Sequence, residues 1–183
     1  MISMILALGP EGLIGVGDKL PWYSKKDFEH FKSYTLNKTI LFGDRTFFGL
    51  PKYPLKDRQN FVASFEIDTA DAYYENGQTY WMFPSIREAI IRAEEEHCAE
   101  MVVCGGRGVY NYCLQNNLID KVVLTEVTSP ELEKLAATRD KDNVYMTNLK
   151  KILKNNFILQ ENLTKEENDS NGLKLVFTTW LKQ

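Results

Sequence analysis

A single carboxylate in an aromatic segment is the side chain best suited to acid or base chemistry. Asp27 follows a Leu-Pro-Trp sequence (residues 20–22) and falls in the first turn of a predicted helix that carries Phe28 and Phe31. An aspartate in an apolar pocket has its charged form disfavoured, and it can hold the paired N–H groups of a flat heterocycle. Ser24 and Asp27 also match a helix-capping pattern, so a purely structural role for the acid stays open.

Two strand–glycine–helix junctions are candidates for binding phosphate groups. The first is Phe-Gly-Asp-Arg-Thr at residues 42–46, and the second is Cys-Gly-Gly-Arg-Gly at residues 104–108. Such junctions present free backbone N–H groups at the carboxyl edge of a sheet, and two of them on neighbouring strands would suit a dinucleotide. The G-x-G-x-x-G and G-x-x-x-x-G-K-[ST] patterns are absent, which argues against a Rossmann-type site and a P-loop. These glycines could equally be turn and helix-cap residues.

The elements that must position these residues alternate between short apolar strands and helical patterns. Helices are predicted after residue 24, near residue 46, after residue 85 and over residues 109–114. Strands are predicted over residues 2–8, 39–42, 60–63, 79–82, 100–104, 121–127, 157–159 and 173–181. This alternation predicts an α/β fold in three layers, with a mostly parallel twisted sheet of about eight strands, an antiparallel C-terminal strand and about four helices.

Two segments do not fit this alternation. Residues 9–23 are rich in glycine and proline and are predicted to form a long loop, of the kind that is usually functional or disordered. Residues 129–155 are polar and weakly periodic, so a helix, a β-bulge and an insertion all stay open. Because the chain has no evident linker or repeat, one domain over residues 1–183 is expected.

Composition excludes several classes of protein. A net charge of −3 and a pI of about 5.5 argue against nucleic acid or an anionic membrane as partner. No apolar run approaches the roughly 20 residues of a membrane helix, and the N-terminus lacks the basic leader of a signal peptide. Cys98, Cys104 and Cys113 have no C-x-x-C spacing, which predicts reduced thiols in a cytoplasmic protein. His30 and His97 stand in no metal-ligand pattern, so no metal site is predicted.

Together, these motifs resemble the dihydrofolate reductase family. The resemblance is close over residues 1–128 and loose beyond them, and the combination of Pro-Trp, a spaced acid and Gly-Gly is specific. The residues that carry it are Ala7, Ile14, Gly15, Leu20, Pro21, Trp22, Asp27, Gly43, Thr46, Val103, Cys104, Gly105, Gly106, Val109, Tyr110, Leu124 and Thr125.

The resemblance implies reduction of 7,8-dihydrofolate to tetrahydrofolate with NADPH as cofactor, by a monomer of dihydrofolate reductase-like fold. It implies that Asp27 accepts hydrogen bonds from the 2-amino group and ring N3 of the pterin, that Thr125 supports this contact and that Trp22 holds a water nearby. A water admitted by the loop at residues 9–23 would deliver the proton. The implied catalytic set is Asp27, Trp22, Leu20, Thr125 and Tyr110.

The resemblance also implies two binding sets. For the substrate these are Ile5, Ala7, Asp27, Phe28, Phe31, Leu50, Arg58, Cys104 and Thr125. For NADPH they are Ala7, Ile14, Gly15, Leu20, Gly43, Arg45, Thr46, Ser64, Gly105, Gly106, Arg107, Gly108, Val109 and Tyr110. Arg58 would grip the α-carboxylate of the substrate with its planar fork, unless it is an ordinary surface arginine. An adenosine-binding subdomain is expected near residues 38–98, the remainder forming the loop and substrate subdomain.

The sequence departs from the family pattern at four places. One is at the second glycine junction, where Arg107 stands one position before the usual basic residue, at Gly108. Asp44 follows Gly43, where the family usually has a basic residue, and it would repel a ribose 2′-phosphate unless Arg45 and Ser64 compensate. The choice between NADPH and NADH therefore stays open. Cys104 replaces an aliphatic residue, and residues 142–146 are the nearest match to a Gly-Asp-Thr segment of the family. Two other functions remain, a related pterin or pyrimidine reductase and a nucleotide-binding module without catalysis.

Overall fold

The computed structural model describes residues 1–183 and contains twelve strands, six α-helices and short 3-10 helices at Pro10–Gly12 and Glu161–Leu163. The strands are β1 (Ile2–Leu8), β2 (Leu13–Val16), β3 (Thr39–Gly43), β4 (Gln59–Ala63), β5 (Asp71–Glu75), β6 (Gln78–Phe83), β7 (Met101–Gly105), β8 (Lys121–Thr128), β9 (Asn143–Tyr145), β10 (Phe157–Leu159), β11 (Lys165–Asn168) and β12 (Lys174–Lys182). The helices are α1 (Lys25–Thr35), α2 (Asp44–Phe48), α3 (Ile86–Glu95), α4 (Arg107–Gln115), α5 (Pro130–Ala137) and α6 (Leu149–Asn156).

The chain divides into two compact units. The first comprises Met1–Met4 and Ser33–Ile119, and the second comprises Ile5–Lys32 and Asp120–Gln183. Strand β1 contributes residues to both units.

The first unit is built on parallel strands in the order β1-β7-β3-β4-β6-β5. Every neighbouring pair is parallel except β5 with β6, which is antiparallel. The centres of its inner strands are apolar, as in strands covered on both faces; Leu41, Phe61 and Val102 are fully buried. Because β3 and β7 are adjacent, the two glycine junctions follow neighbouring strands, as the sequence predicted.

The second unit is largely antiparallel, with the order β10-β12-β8-β1. The long strand β12 pairs antiparallel with β8, β10 and β11, and this register sets Phe177 opposite Thr125. A separate two-stranded sheet joins β2 to β9.

The predicted fold class is confirmed, with a parallel sheet and an antiparallel C-terminal strand, but the structure adds elements that the pattern did not show. The loop prediction for residues 9–23 was wrong in part, because this segment contains β2, with a register shift between Leu13 and Gly15. Residues 129–155 form α5, β9 and α6 rather than an insertion, which accounts for two helices beyond the expected four. Strands β5 and β11 are mostly exposed and polar, so they carry no hydrophobic alternation to predict them.

Candidate active site

Asp27 lies in the first turn of α1, where Ser24 caps the helix. The Ser24 hydroxyl accepts a hydrogen bond from the backbone N–H of Asp27 at 3.1 Å and donates one to Asp169 Oδ2 at 2.5 Å. The carboxyl group of Asp27 is instead hydrogen-bonded by the side chain of Thr125 in β8. The cap therefore depends on Ser24, and the Asp27 carboxyl group is directed to the buried Thr125.

The protonated form of Asp27 is more favoured in the protein than it would be in water. Burial raises the pKa of Asp27 above its ordinary value, while the Thr125 hydrogen bond and the charge of His30 act in the opposite direction without cancelling the effect. A raised carboxyl pKa is a common property of groups that exchange protons with a ligand. Sequence reasoning gave His30 no role in this environment.

Trp22 belongs to a hydrophobic cluster of the second unit, and Thr125 is in register with Phe177, a member of that cluster. This cluster consists of Trp22, Val127, Leu132, Leu173, Leu175 and Phe177, with Ala7 and Leu135 packed against it. Thr125 is 1% exposed, so its hydroxyl group has little access to solvent. The indole Nε1–H of Trp22 is buried and has no acceptor among the protein groups, whereas buried donors are normally hydrogen-bonded. Trp22 is thus a core residue that also offers a donor to a water or ligand.

The β11–β12 hairpin fixes the start of α1. Besides the contact between Ser24 and Asp169, Lys26 Nζ donates to the backbone oxygen of Asn168 at 2.8 Å and pairs with Glu167 at 3.4 Å. Sequence reasoning missed Asp169 because a polar contact between residues 145 positions apart leaves no periodic signal. Its place in a polar loop gave only a turn prediction.

The segment at residues 9–23 is tied to residues 142–146, the segment that sequence analysis had singled out. The backbone N–H of Gly17 donates to Asp142 O at 2.7 Å, and that of Met146 donates to Gly12 O at 2.8 Å. Ile14 is half-buried in β2, whereas Leu20 beyond it is 47% exposed.

The glycine junctions of the first unit are shaped by close packing. A Cβ added at Gly106 would lie 2.7 Å from Thr46 Oγ1, and Gly105 has a φ of +125°. A side chain is therefore disfavoured at Gly106 by the lack of space and at Gly105 by the backbone conformation. A simple turn would require only the second of these. Neither α2 nor α4 has a side-chain cap, so the first N–H groups of the nine-residue α4 are not bonded by a capping side chain. This arrangement fits a bound phosphate.

Ser64 contacts the carboxylate of Asp44 directly. Its hydroxyl donates to Asp44 Oδ2 at 2.7 Å, and Asp44 Oδ1 accepts from the backbone N–H of Arg45 at 2.7 Å. The contact follows from the parallel pairing of Gly43 with Ala63, because the residues after each strand then meet. Ser64 thus orients the carboxylate, and Arg45, the other residue expected to balance it, is exposed.

The other predicted residues of the first unit occupy different environments. Arg58 is half-buried, and its guanidinium donates to Lys56 O at 2.8 Å and Thr35 Oγ1 at 3.1 Å. Cys104 is 8% exposed, and burial raises the pKa of its thiol far above the ordinary value. Tyr110 is buried beside Gly105, where an added Cβ would approach its hydroxyl to 3.2 Å. Leu50 is half-buried, whereas Arg107 and Gly108 are exposed at the start of α4.

The structure thus brings part of each predicted set together. In the second unit, Ala7 packs against the hydrophobic cluster that contains Trp22, and Thr125 hydrogen-bonds Asp27. In the first unit, the residues that meet at the junctions are Gly43, Thr46, Gly105 and Gly106. Phe28 of the substrate set, in contrast, is 48% exposed.

No cluster of three or more His, Cys, Asp or Glu side chains is arranged to hold a metal ion. No helix has the length and apolar composition needed to cross a membrane.

These features define an α/β protein with glycine junctions suited to a nucleotide and a partly buried acid paired with a threonine. The sequence profile of the dihydrofolate reductase family matches residues 1–182. The chain therefore belongs to the dihydrofolate reductase family.

Individual relatives agree with this assignment. The chain is 33% identical to dihydrofolate reductase of Neisseria meningitidis serogroup A over 129 residues, which cover 69% of this chain and 72% of the relative. It is 30% identical to dihydrofolate reductase type 9 of Escherichia coli over 130 residues, 69% of this chain and 70% of the relative. The structure superposes, with a TM-score of 0.76 and 22% identity, on dihydrofolate reductase from Enterococcus faecalis complexed with NADP(H) and RAB-propyl, covering 100% of this chain and 96% of that one. At this identity the superposition supports the fold alone.

Proposed function

We propose that the chain reduces 7,8-dihydrofolate to 5,6,7,8-tetrahydrofolate with NADPH, and so supplies reduced folate for one-carbon metabolism and thymidylate synthesis. The observation that carries the proposal is the Asp27 carboxyl group, partly buried and bonded by Thr125, in a chain of this family. A protein with only a structural role gains nothing from burying a carboxyl group in this way, since burial costs free energy.

The second unit supplies the groups proposed to bind the pterin. Asp27 accepts hydrogen bonds from the 2-amino group and ring N3, and the Thr125 hydroxyl orients the carboxyl group for this contact. The buried Nε1–H of Trp22 is available to hold a water beside them. Since the acid contacts a different part of the ring from the nitrogen that is protonated, the proton reaches that nitrogen through water.

The first unit supplies groups that fit the phosphates of a dinucleotide. The backbone of Gly105 and Gly106, which side chains would obstruct, and the uncapped start of α4 suit a phosphate, and Thr46 lies against Gly106. The nicotinamide of NADPH supplies the hydride when it is bound. The charge of Arg45 favours a 2′-phosphate, whereas that of Asp44 opposes it.

The remaining assignments are extensions of the same proposal. Arg58 binds the α-carboxylate of the substrate, and residues 38–98 carry the adenosine contacts. The substrate-contact roles of Ile5, Phe31, Leu50 and Cys104 rest on the family resemblance. The protein acts as a cytoplasmic monomer, and its net charge of −3 gives it no general attraction to nucleic acid.

The decisive experiment mixes the protein with dihydrofolate and NADPH and follows oxidation of the cofactor. Turnover is expected, and Asp27→Asn should lose most of it near neutral pH and regain part in acid, where the substrate is already protonated. Glu29→Gln, two residues along α1 and exposed, is the control and should behave as the parent does. Binding of both ligands without turnover would contradict the proposal and favour a nucleotide-binding module; turnover of another pterin alone would favour a related reductase.

A further inference from the structure

His30 lies beside the acid in the second unit and belongs to none of the predicted sets. It follows Asp27 by three residues in α1, so the two side chains project on neighbouring positions of one helix face. Its ring centroid is 4.6 Å from that of Phe177 in β12. Phe177 is in register with Thr125, which hydrogen-bonds Asp27. The spacing along the helix and the ring contact with Phe177 therefore both place the imidazole near the Asp27–Thr125 pair.

The charged groups that face His30 come from two elements. Burial lowers the pKa of His30; Asp27 of α1 and Glu167 of β11 raise it, and Lys165 of β11 lowers it further. Glu167 is itself paired with Lys165 and with Lys26, which reduces its influence on the imidazole. From β8 and β12 the facing side chains, Thr125 and Phe177, are uncharged. Asp27 is therefore the unpaired charge with the strongest influence on His30.

We propose that His30 is a positioning residue whose protonated form stabilises the ionised carboxyl group of Asp27, so that the two side chains titrate as a coupled pair. Each group favours the charged form of the other, because the negative charge of Asp27 raises the pKa of His30 and the positive charge of His30 lowers that of Asp27. The protonation of one group therefore depends on the charge of the other. The catalytic consequence rests on the proposed function, whereas the coupling itself does not.

The coupling can be measured without any substrate, because the chain contains only two histidines. The imidazole proton resonances of His30 and His97 are followed by NMR against pH. His97 is exposed and has a φ of 53°, a conformation that asparagine tolerates, so His97→Asn assigns the two signals. In Asp27→Asn the midpoint of His30 should fall by about half a pH unit because its negative neighbour is lost, while that of His97 stays unchanged.

A matched variant separates a local effect from a change in net charge. Glu29→Gln removes one negative charge from the same helix, but Glu29 is exposed and paired with Lys25. It should shift the His30 midpoint by much less than Asp27→Asn does. An unchanged His30 midpoint in Asp27→Asn, or an equal shift in both variants, overturns the proposal whether or not the protein is a reductase.

The catalytic consequence is tested with His30→Phe, which keeps a ring against Phe177 and removes the titrating group. The pH dependence of kcat/KM should show the Asp27 midpoint about half a unit higher than in the parent, with equal kcat/KM above pH 8, where the parent imidazole is neutral. A uniform loss at all pH values would indicate a packing defect and overturn the positioning role. If the protein shows no turnover at all, the proposed function fails, while the NMR result still decides the coupling.

Discussion

The side chain of Thr125 in β8 hydrogen-bonds the carboxyl group of Asp27 in α1, and this contact opposes the effect of burial on the acid. Thr125→Val keeps the shape of the side chain and removes the hydroxyl, so the pKa of Asp27 should rise further. Hydrogen bonds to charged groups contribute about 1.5–3 kcal/mol, so kcat/KM for dihydrofolate at pH 7 should fall roughly tenfold or more. Thr125→Ser, which restores the hydroxyl, should recover most of the loss. Equal losses in both variants would mean that packing, and not the hydrogen bond, is what matters.

Asp169 should affect catalysis from outside the site, because it bonds the Ser24 hydroxyl that caps α1. Asp169→Ala removes this anchor, and losses of about 1 kcal/mol are typical for helix caps. We expect a several-fold lower kcat/KM and faster hydrogen exchange at the backbone amides of residues 25–28. Asp169→Asn can still accept the hydrogen bond and should resemble the parent. If exchange at these amides is unchanged in Asp169→Ala, the anchoring role is refuted.

The sequence was sufficient where an apolar pattern or a short motif was present. The inner strands of the first unit contain short apolar runs, and the glycine junctions directly follow those of β3 and β7, so both could be predicted. Asp27 was identified by its spacing from Trp22. Strand β2 has four residues and β9 has three, too few for a periodic signal.

Contacts that depend on tertiary structure were beyond the sequence. Nothing in the sequence near Ser64 shows that its hydroxyl binds Asp44, since the contact arises only when β3 and β4 pair. The same holds for His30, whose neighbour Phe177 lies in the last strand. Spacing along α1 could have suggested the proximity of His30 to Asp27, but not its burial.

Asp44 should weaken the preference for NADPH over NADH. Its carboxylate is fixed by Ser64 and by the Arg45 backbone at the junction proposed to bind the nucleotide. Two unit charges 4 Å apart interact by about 1 kcal/mol in water, so Asp44→Asn should raise kcat/KM for NADPH about fivefold and leave NADH unchanged. Arg45→Ala should change the ratio in the opposite direction. Parallel increases for both cofactors in Asp44→Asn would show that the 2′-phosphate is not what Asp44 repels.

Glu100 should make the stability of the first unit depend on pH. Burial opposes its ionisation, but hydrogen bonds from Tyr34 at 2.5 Å and Ser3 at 2.7 Å, with Lys38 at 3.0 Å, lower its pKa below 4.5. A carboxyl group whose pKa is lower in the folded than in the unfolded protein stabilises the fold above the unfolded pKa, and this contribution is lost as the pH falls through the folded pKa. Glu100→Gln should therefore reduce the free energy of unfolding in urea by about 1–2 kcal/mol at pH 7, after allowance for solvent screening, and by less at pH 3. Glu94→Gln, at an exposed position, is the control and should change the free energy of unfolding at neither pH. An equal loss for Glu100→Gln at both pH values would mean that the charge of Glu100 is not what stabilises the fold.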